Sequence, residues 1–142
     1  MKQISERVFY VGVNDDDKVL FEGLWPLPVG VSYNSYVVAD EKVALIDTVE
    51  CGFEEEFMAN IEEAIGDRPV DYLVVNHMEP DHSANIKNFV EKYPDTTLVA
   101  SKKAFVMMKN FYGNDFGIGR LGYIVVPYLL RRKIWNVKNK RL

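Results

Sequence analysis

Six consecutive residues, His77-Met78-Glu79-Pro80-Asp81-His82, hold both histidines of the chain and two of its carboxylates. Two imidazoles and two carboxylates without a thiolate form a donor set suited to non-haem iron or manganese, with zinc admitted as an alternative. In an extended loop His77, Glu79 and Asp81 would project to one side, and His82 would turn in as a helix begins. That arrangement suits two neighbouring metal centres, each taking two ligands, better than one crowded ion. Paired metals about 3.5–4 Å apart can hold both ends of a small substrate or bridge an oxygen species. The competing reading is a solvated strand-to-helix turn in which Asp81 or Ser83 caps the helix and the histidines are incidental. The lone Cys51 has no companion motif that would make it a nucleophile.

The segments on either side must position this loop. VDYLVVN (70–76) is a nearly continuous apolar run, which predicts a strand buried on both faces, with the histidine loop at its carboxyl end where α/β sheets bind ligands. Pro80 stiffens the loop. In FEEEFMANIEEAIG, the residues Phe53, Phe57, Met58, Ile61, Ala64 and Ile65 recur at helical spacing and Gly66 is a stop. SANIKNFVEKY (83–93) predicts a helix, TTLVA (96–100) a strand, and SKKAFVMMKNFYG (101–113) a helix capped by Ser101 and ended by Gly113. Ahead of these, RVFYVGV (7–13) and KVLFEGL (18–24) predict a hairpin around NDDD. WPLPVG (25–30) predicts a loop, and VSYNSYVVA (31–39) and KVALID (42–47) predict two more strands. The whole is an α/β chain in which antiparallel lead-in strands precede alternating strands and helices.

At 142 residues, with 48% hydrophobic and 27% charged residues, the composition is that of an ordinary globular domain and excludes a disordered chain. No apolar run approaches the roughly 18 residues of a membrane helix. No secretory pattern opens the sequence. With a single cysteine, a reducing cytoplasm is the expected compartment. The net charge of −4 is divided sharply: residues 1–115 carry 21 acidic against 10 basic side chains, and residues 116–142 carry seven basic and no acidic ones. The expected division is a partial domain over 1–115 and an atypical basic segment over 116–142.

VNHMEPDHSANI resembles the His-x-Glu-x-Asp-His motif of the flavodiiron proteins, a branch of the metallo-β-lactamase superfamily. There, Glu79 stands where the zinc hydrolases more often have histidine. GVSYNSYVVADEKVALIDTV is similar to the family's opening strands, and Asp47 matches the acidic residue at an early strand end that supports the metal loop. SKKAFVMMKNFYG also resembles the family. The resemblance implies the N-terminal half of an αββα sandwich and a di-iron oxidoreductase that reduces dioxygen or nitric oxide. Its electrons would come from FMN and, beyond it, a rubredoxin-like donor, in a homodimer free of nucleic acid and membrane. It also implies that His77 and Glu79 bind one iron and Asp81 and His82 the other. The family takes two further histidines and a bridging aspartate from later in the domain, and no His, Asp or Glu follows Asp115. A truncated or frame-shifted product with little turnover is therefore the expectation. The alternatives are a metal-dependent hydrolase of the same fold, in which Asp81 lies near a metal-activated water, and a non-catalytic remnant.

Overall fold

The structure, a computed structural model, describes residues 1–113. The expected basic segment 116–142 lies outside the described residues. Strands β1 (Lys2–Ser5), β2 (Val8–Tyr10), β7 (Tyr36–Ala39), β8 (Val43–Ile46), β9 (Tyr72–Val75) and β10 (Thr97–Ala100) form one sheet in the order β1-β2-β7-β8-β9-β10. The first pairings are antiparallel, and β8-β9 and β9-β10 are parallel. This is the antiparallel lead-in followed by parallel crossovers that the sequence pattern predicts.

Helix α1 (Glu54–Ile65) connects β8 to β9, the short α2 (Pro80–Ser83) and α3 (Ile86–Lys92) connect β9 to β10, and α4 (Lys102–Tyr112) follows. The apolar stripe of α1 buries Phe57, Met58, Ile61 and Ile65, and Gly66 ends it. In α4 the Ser101 hydroxyl accepts the Ala104 amide, and Gly113 closes the helix in the left-handed conformation. Strand register aligns Phe9, Val37, Leu45, Leu73 and Leu98 in one row across the sheet. The last four of these are fully buried in the same cluster as Phe57, Ile61, Phe89 and Met108. The opposite side of β9 is only half-buried at Tyr72 and Val74, so the expected burial on both faces is corrected to one.

The predicted hairpin between 7–13 and 18–24 does not form. Instead the chain from Val8 to Asp15 runs antiparallel to the chain from Val31 to Ala39, and both cross from one sheet to another. β2 pairs with β7 in the large sheet, while β3 (Val13–Asp15) pairs with β6 (Val31–Tyr33) in a separate ladder. The run 31–39, which reads as one strand, is thus two. Burial decides this pairing over sequence proximity. It puts Val11, Val13, Tyr33 and Val37 in the core, whereas Val19, Leu24 and Trp25 of the intervening segment stay exposed. That segment makes its own small ladder, β4 (Leu20–Phe21) with β5 (Trp25–Pro26), where a loop was expected at Trp25. The tight turn between them uses positive φ at Glu22 and Gly23.

The crossing point requires glycine. A Cβ on Gly12 would lie 2.2 Å from the Tyr33 carbonyl oxygen and 2.8 Å from the Tyr10 ring. We expect Gly12→Ala to cost about 1–3 kcal/mol as backbone is forced apart, read as a lowered urea midpoint with an unchanged slope. A wild-type midpoint would refute the close-crossing account.

Among the described residues, no helix is long and apolar enough to cross a membrane.

Candidate metal centre

β9 ends at Val75, and the chain leaves the sheet as Asn76-His77-Met78-Glu79 before turning into α2 at Pro80. Pro80 occupies the first helical turn, where its missing amide costs nothing, and Glu79 holds extended backbone just ahead of it. The predicted helix over 83–93 is therefore displaced and broken. It begins at Pro80, stops at Ser83 and resumes at Ile86, so Asp81 and His82 belong to a helical turn rather than to the loop. Neither of the predicted caps is made: α2 has no side-chain cap, and the Ser83 hydroxyl donates to the Met78 carbonyl at 3.0 Å instead.

This kink brings three of the four predicted donors into one group and leaves the fourth, His82, outside it beside Asp81. One ligand atom from each of His77, Glu79 and Asp81 lies within 4.8 Å of the others. His77 Nε2 is 3.2 Å from Glu79 Oε2, and His82 Nε2 is 3.6 Å from Asp81 Oδ2. The two imidazole rings stand edge to face with centroids 5.4 Å apart. His82 and Asp81 are sunk, at 20% and 17% side-chain exposure, while His77 and Glu79 form the rim at 47% and 58%. Each imidazole faces a carboxylate, and the two carboxylates, drawn into one small volume, repel each other, a repulsion that a cation among them would relieve. The site also holds an orphan: His82 Nδ1 is buried with no hydrogen-bond partner among the described residues. Imidazole and carboxylate donors, one imidazole nitrogen left unpaired, fit a transition-metal ion.

Asp47, the residue expected to support the loop, does so through its carboxylate. Oδ1 accepts the Asn76 amide at 2.6 Å and the His77 amide at 3.1 Å, and Oδ2 accepts the Asn76 side chain at 3.3 Å. Its backbone is held at φ 56°, a left-handed conformation that aspartate tolerates better than most residues. Asp47→Ala removes the acceptor and strains the backbone. We expect metal affinity to fall about 10–100-fold, while Asp47→Asn, which keeps one oxygen and the tolerance of positive φ, loses much less. Equal losses in titrations of the two variants would show that the carboxylate does not hold the loop.

Sequence reasoning passed over the other parts of this scaffold. The buried Asn85 donates to the carbonyls of Val49 and Glu50 at 3.2 and 2.8 Å, Thr48 contacts the His82 carbonyl, and the half-buried Tyr112 hydroxyl donates to the Ser83 carbonyl. Burial raises the Tyr112 phenol above its ordinary range, which keeps it a neutral donor. Small polar residues beside a loop read as ordinary caps and turns, so nothing in the string marks them as buried. Cys51 points its thiol at Glu50 Oε1, 3.3 Å away. That hydrogen bond, with burial and the same carboxylate's charge, pushes the thiol pKa up, against a nucleophilic role.

A family model described as the metallo-beta-lactamase superfamily matches residues 28–139. The chain is 35% identical over 115 residues to the nitric oxide reductase of Moorella thermoacetica, covering 80% of this chain and 29% of that one. The flavodiiron protein of Giardia intestinalis superposes with a TM-score of 0.76 at 30% identity, over 88% of this chain and 29% of its own. The rubredoxin oxygen:oxidoreductase of Desulfovibrio gigas superposes with a TM-score of 0.75 at 29% identity, over 80% and 28%. The chain spans under a third of the length of each of these relatives.

Proposed function

The chain belongs to the metallo-beta-lactamase superfamily, and from that premise we propose that its 77–82 segment holds a di-iron centre of flavodiiron type. His77 and Glu79 would hold one iron, and Asp81 and His82 the other. The observation that carries this reading is the convergence of His77, Glu79 and Asp81 within 4.8 Å, with His82 set against Asp81. Glu79 favours iron over zinc, because it adds a hard oxygen donor at a position where a third imidazole would suit zinc better. The names of the relatives, a nitric oxide reductase and a rubredoxin oxygen:oxidoreductase, support nitric oxide or dioxygen as the substrate class. They also support a rubredoxin-like electron donor. FMN as the immediate electron source, a homodimer that brings it near the irons, and a cytoplasmic setting belong to the same proposal. So does the division into a di-iron domain over 1–115 and a basic segment over 116–142.

When bound, a ferrous pair supplies electrons to a diatomic molecule. The chain's own residues set the conditions. The sunken Asp81 and His82 make one side of the site drier than the rim, which strengthens their hold on a cation. Asp47 fixes the direction in which His77 leaves β9. Glu79 and His77, at the open rim, leave an approach for a small neutral substrate.

Anaerobic equilibrium dialysis of the 142-residue chain against ferrous iron with zinc in competition, followed by measurement of nitric oxide and thioester consumption, tests the reading. Preferential iron binding abolished by changing Glu79 supports it. Preferential zinc binding with thioester hydrolysis would turn the assignment to a hydrolase, and no binding of either metal would leave a non-catalytic remnant.

A further inference from the structure

Among the described residues, His82 has no brace of the kind that a metal-binding imidazole ordinarily has. Such a ring usually donates its second nitrogen to a fixed carboxylate or carbonyl, which sets its tautomer and direction. Here Nδ1 is buried with no partner, and Nε2 lies 3.6 Å from Asp81 Oδ2, beyond good hydrogen-bond length. Among the described residues, the hydrogen bonds that reach His82 from distant parts of the chain act on its backbone. That backbone belongs to α2, a single helical turn from Pro80 to Ser83, which is too short to hold itself.

Tyr112 holds the turn at Ser83, and Thr48 grips it at His82. The Thr48 amide and the Thr48 hydroxyl both donate to the His82 carbonyl oxygen, each at 2.9 Å. Two donors from one side chain and its own backbone occupy both lone pairs of a single acceptor. Thr48 is fully buried, and its β-branched side chain has few rotamers to choose from. Its neighbours continue the same attachment: the Asp47 carboxylate takes the amides of Asn76 and His77, and Asn85 reaches back to the carbonyls of Val49 and Glu50. Residues 47–50 thus form a strap laid along 76–85, with Thr48 at its middle, opposite His82.

We infer that Thr48 is a positioning residue whose hydroxyl fixes the backbone of His82 and thereby aims its imidazole at Asp81 and His77. The inference rests on the metal-site reading for its purpose, but its geometry stands without a metal. In the metal-free protein it requires the ring-to-ring approach of His77 and His82, 5.4 Å between centroids, to depend on that hydroxyl.

The test compares Thr48→Val, which keeps the shape and loses the hydroxyl, with Thr48→Ser, which keeps the hydroxyl. Two properties are read in the 142-residue chain: the nuclear Overhauser contact between the two imidazoles without metal, and the affinity for cobalt(II) by spectroscopic titration. Thr48→Val is expected to lose the ring contact and to bind cobalt about 10-fold more weakly, the lower end of what an outer hydrogen bond commands. Thr48→Ser is expected to keep both. A purely structural role would lower the melting temperature of Thr48→Val and leave ring contact and affinity unchanged, which overturns the inference. Loss of the contact in Thr48→Ser, or hydroxyl-free variants that do not fold at all, overturns it equally. A wild-type chain that binds no cobalt yet shows a hydroxyl-dependent ring contact sinks the metal reading and upholds the positioning role of Thr48.

Discussion

Asp81→Ala is expected to weaken ferrous iron binding by 100-fold or more while leaving the metal-free protein at least as stable as the wild type. Asp81 stands at the junction of the candidate centre. Its carboxylate belongs to the group with His77 and Glu79 and also faces His82 Nε2. Losing it therefore removes one of the two donors proposed for the second ion and opens the group around His77 and Glu79. Hydrogen-bond partners of metal ligands are worth about 10–100-fold in affinity, and a direct donor commands more. Without metal the balance reverses, because Asp81 and Glu79 are like charges drawn into one small volume, and removing one relieves repulsion. Anaerobic titration and urea unfolding of the same preparations supply both numbers. An affinity loss under tenfold, or a metal-free variant clearly less stable than the wild type, would make Asp81 a structural residue.

Phe57→Ala should destabilise the fold by about 3–5 kcal/mol, the usual cost of emptying a phenylalanine site in a core. Phe57 is fully buried on the inner stripe of α1, in the cluster that also holds Val37, Leu45, Leu73 and Leu98. A domain of this size has about 5–15 kcal/mol of stability in total, so the variant should sit near the limit of folding at 37 °C. Val106→Ala is the matched control. Val106 is 60% exposed on α4, and its truncation should change stability by no more than about 0.5 kcal/mol. Equal effects of the two substitutions in urea unfolding would contradict the burial that organises the sheet. The same experiment tests whether α1 is the element that closes this face, since among the described residues no other helix presents four buried apolar side chains in one stripe.

Both predictions depend on elements that were legible in the string to different degrees. The donor set was fully legible. Two histidines and two carboxylates in six residues, placed after an apolar run, needed only residue types and spacing to be read as candidate ligands. Helix α1, strands β8 to β10 and helix α4 were legible for the same reason, since each is a local pattern whose period matches one kind of backbone. Ser101 and Gly113 mark the ends of α4 by chemistry that acts within a single turn.

Where a long-range pairing competed with a local one, the local reading failed. Residues 7–13 and 18–24 are close in sequence and both β-prone, yet Val8–Asp15 pairs with Val31–Ala39 because only that pairing buries Val11, Val13, Tyr33 and Val37 together. The helix expected over 83–93 breaks at Asn85, whose side chain is drawn off to carbonyls 35 and 36 residues back in the chain. No periodicity records such a partner.

By itself, then, the sequence determined which side chains could bind a metal and which segments could flank them, because those properties belong to residue types and to neighbours within a turn or two. Tertiary structure decided how the donors converge. The strap of residues 47–50, distant in the chain, fastens the ends of the 76–85 segment, and hydrogen bonds between distant segments exist only after the sheet has brought β8 and β9 side by side.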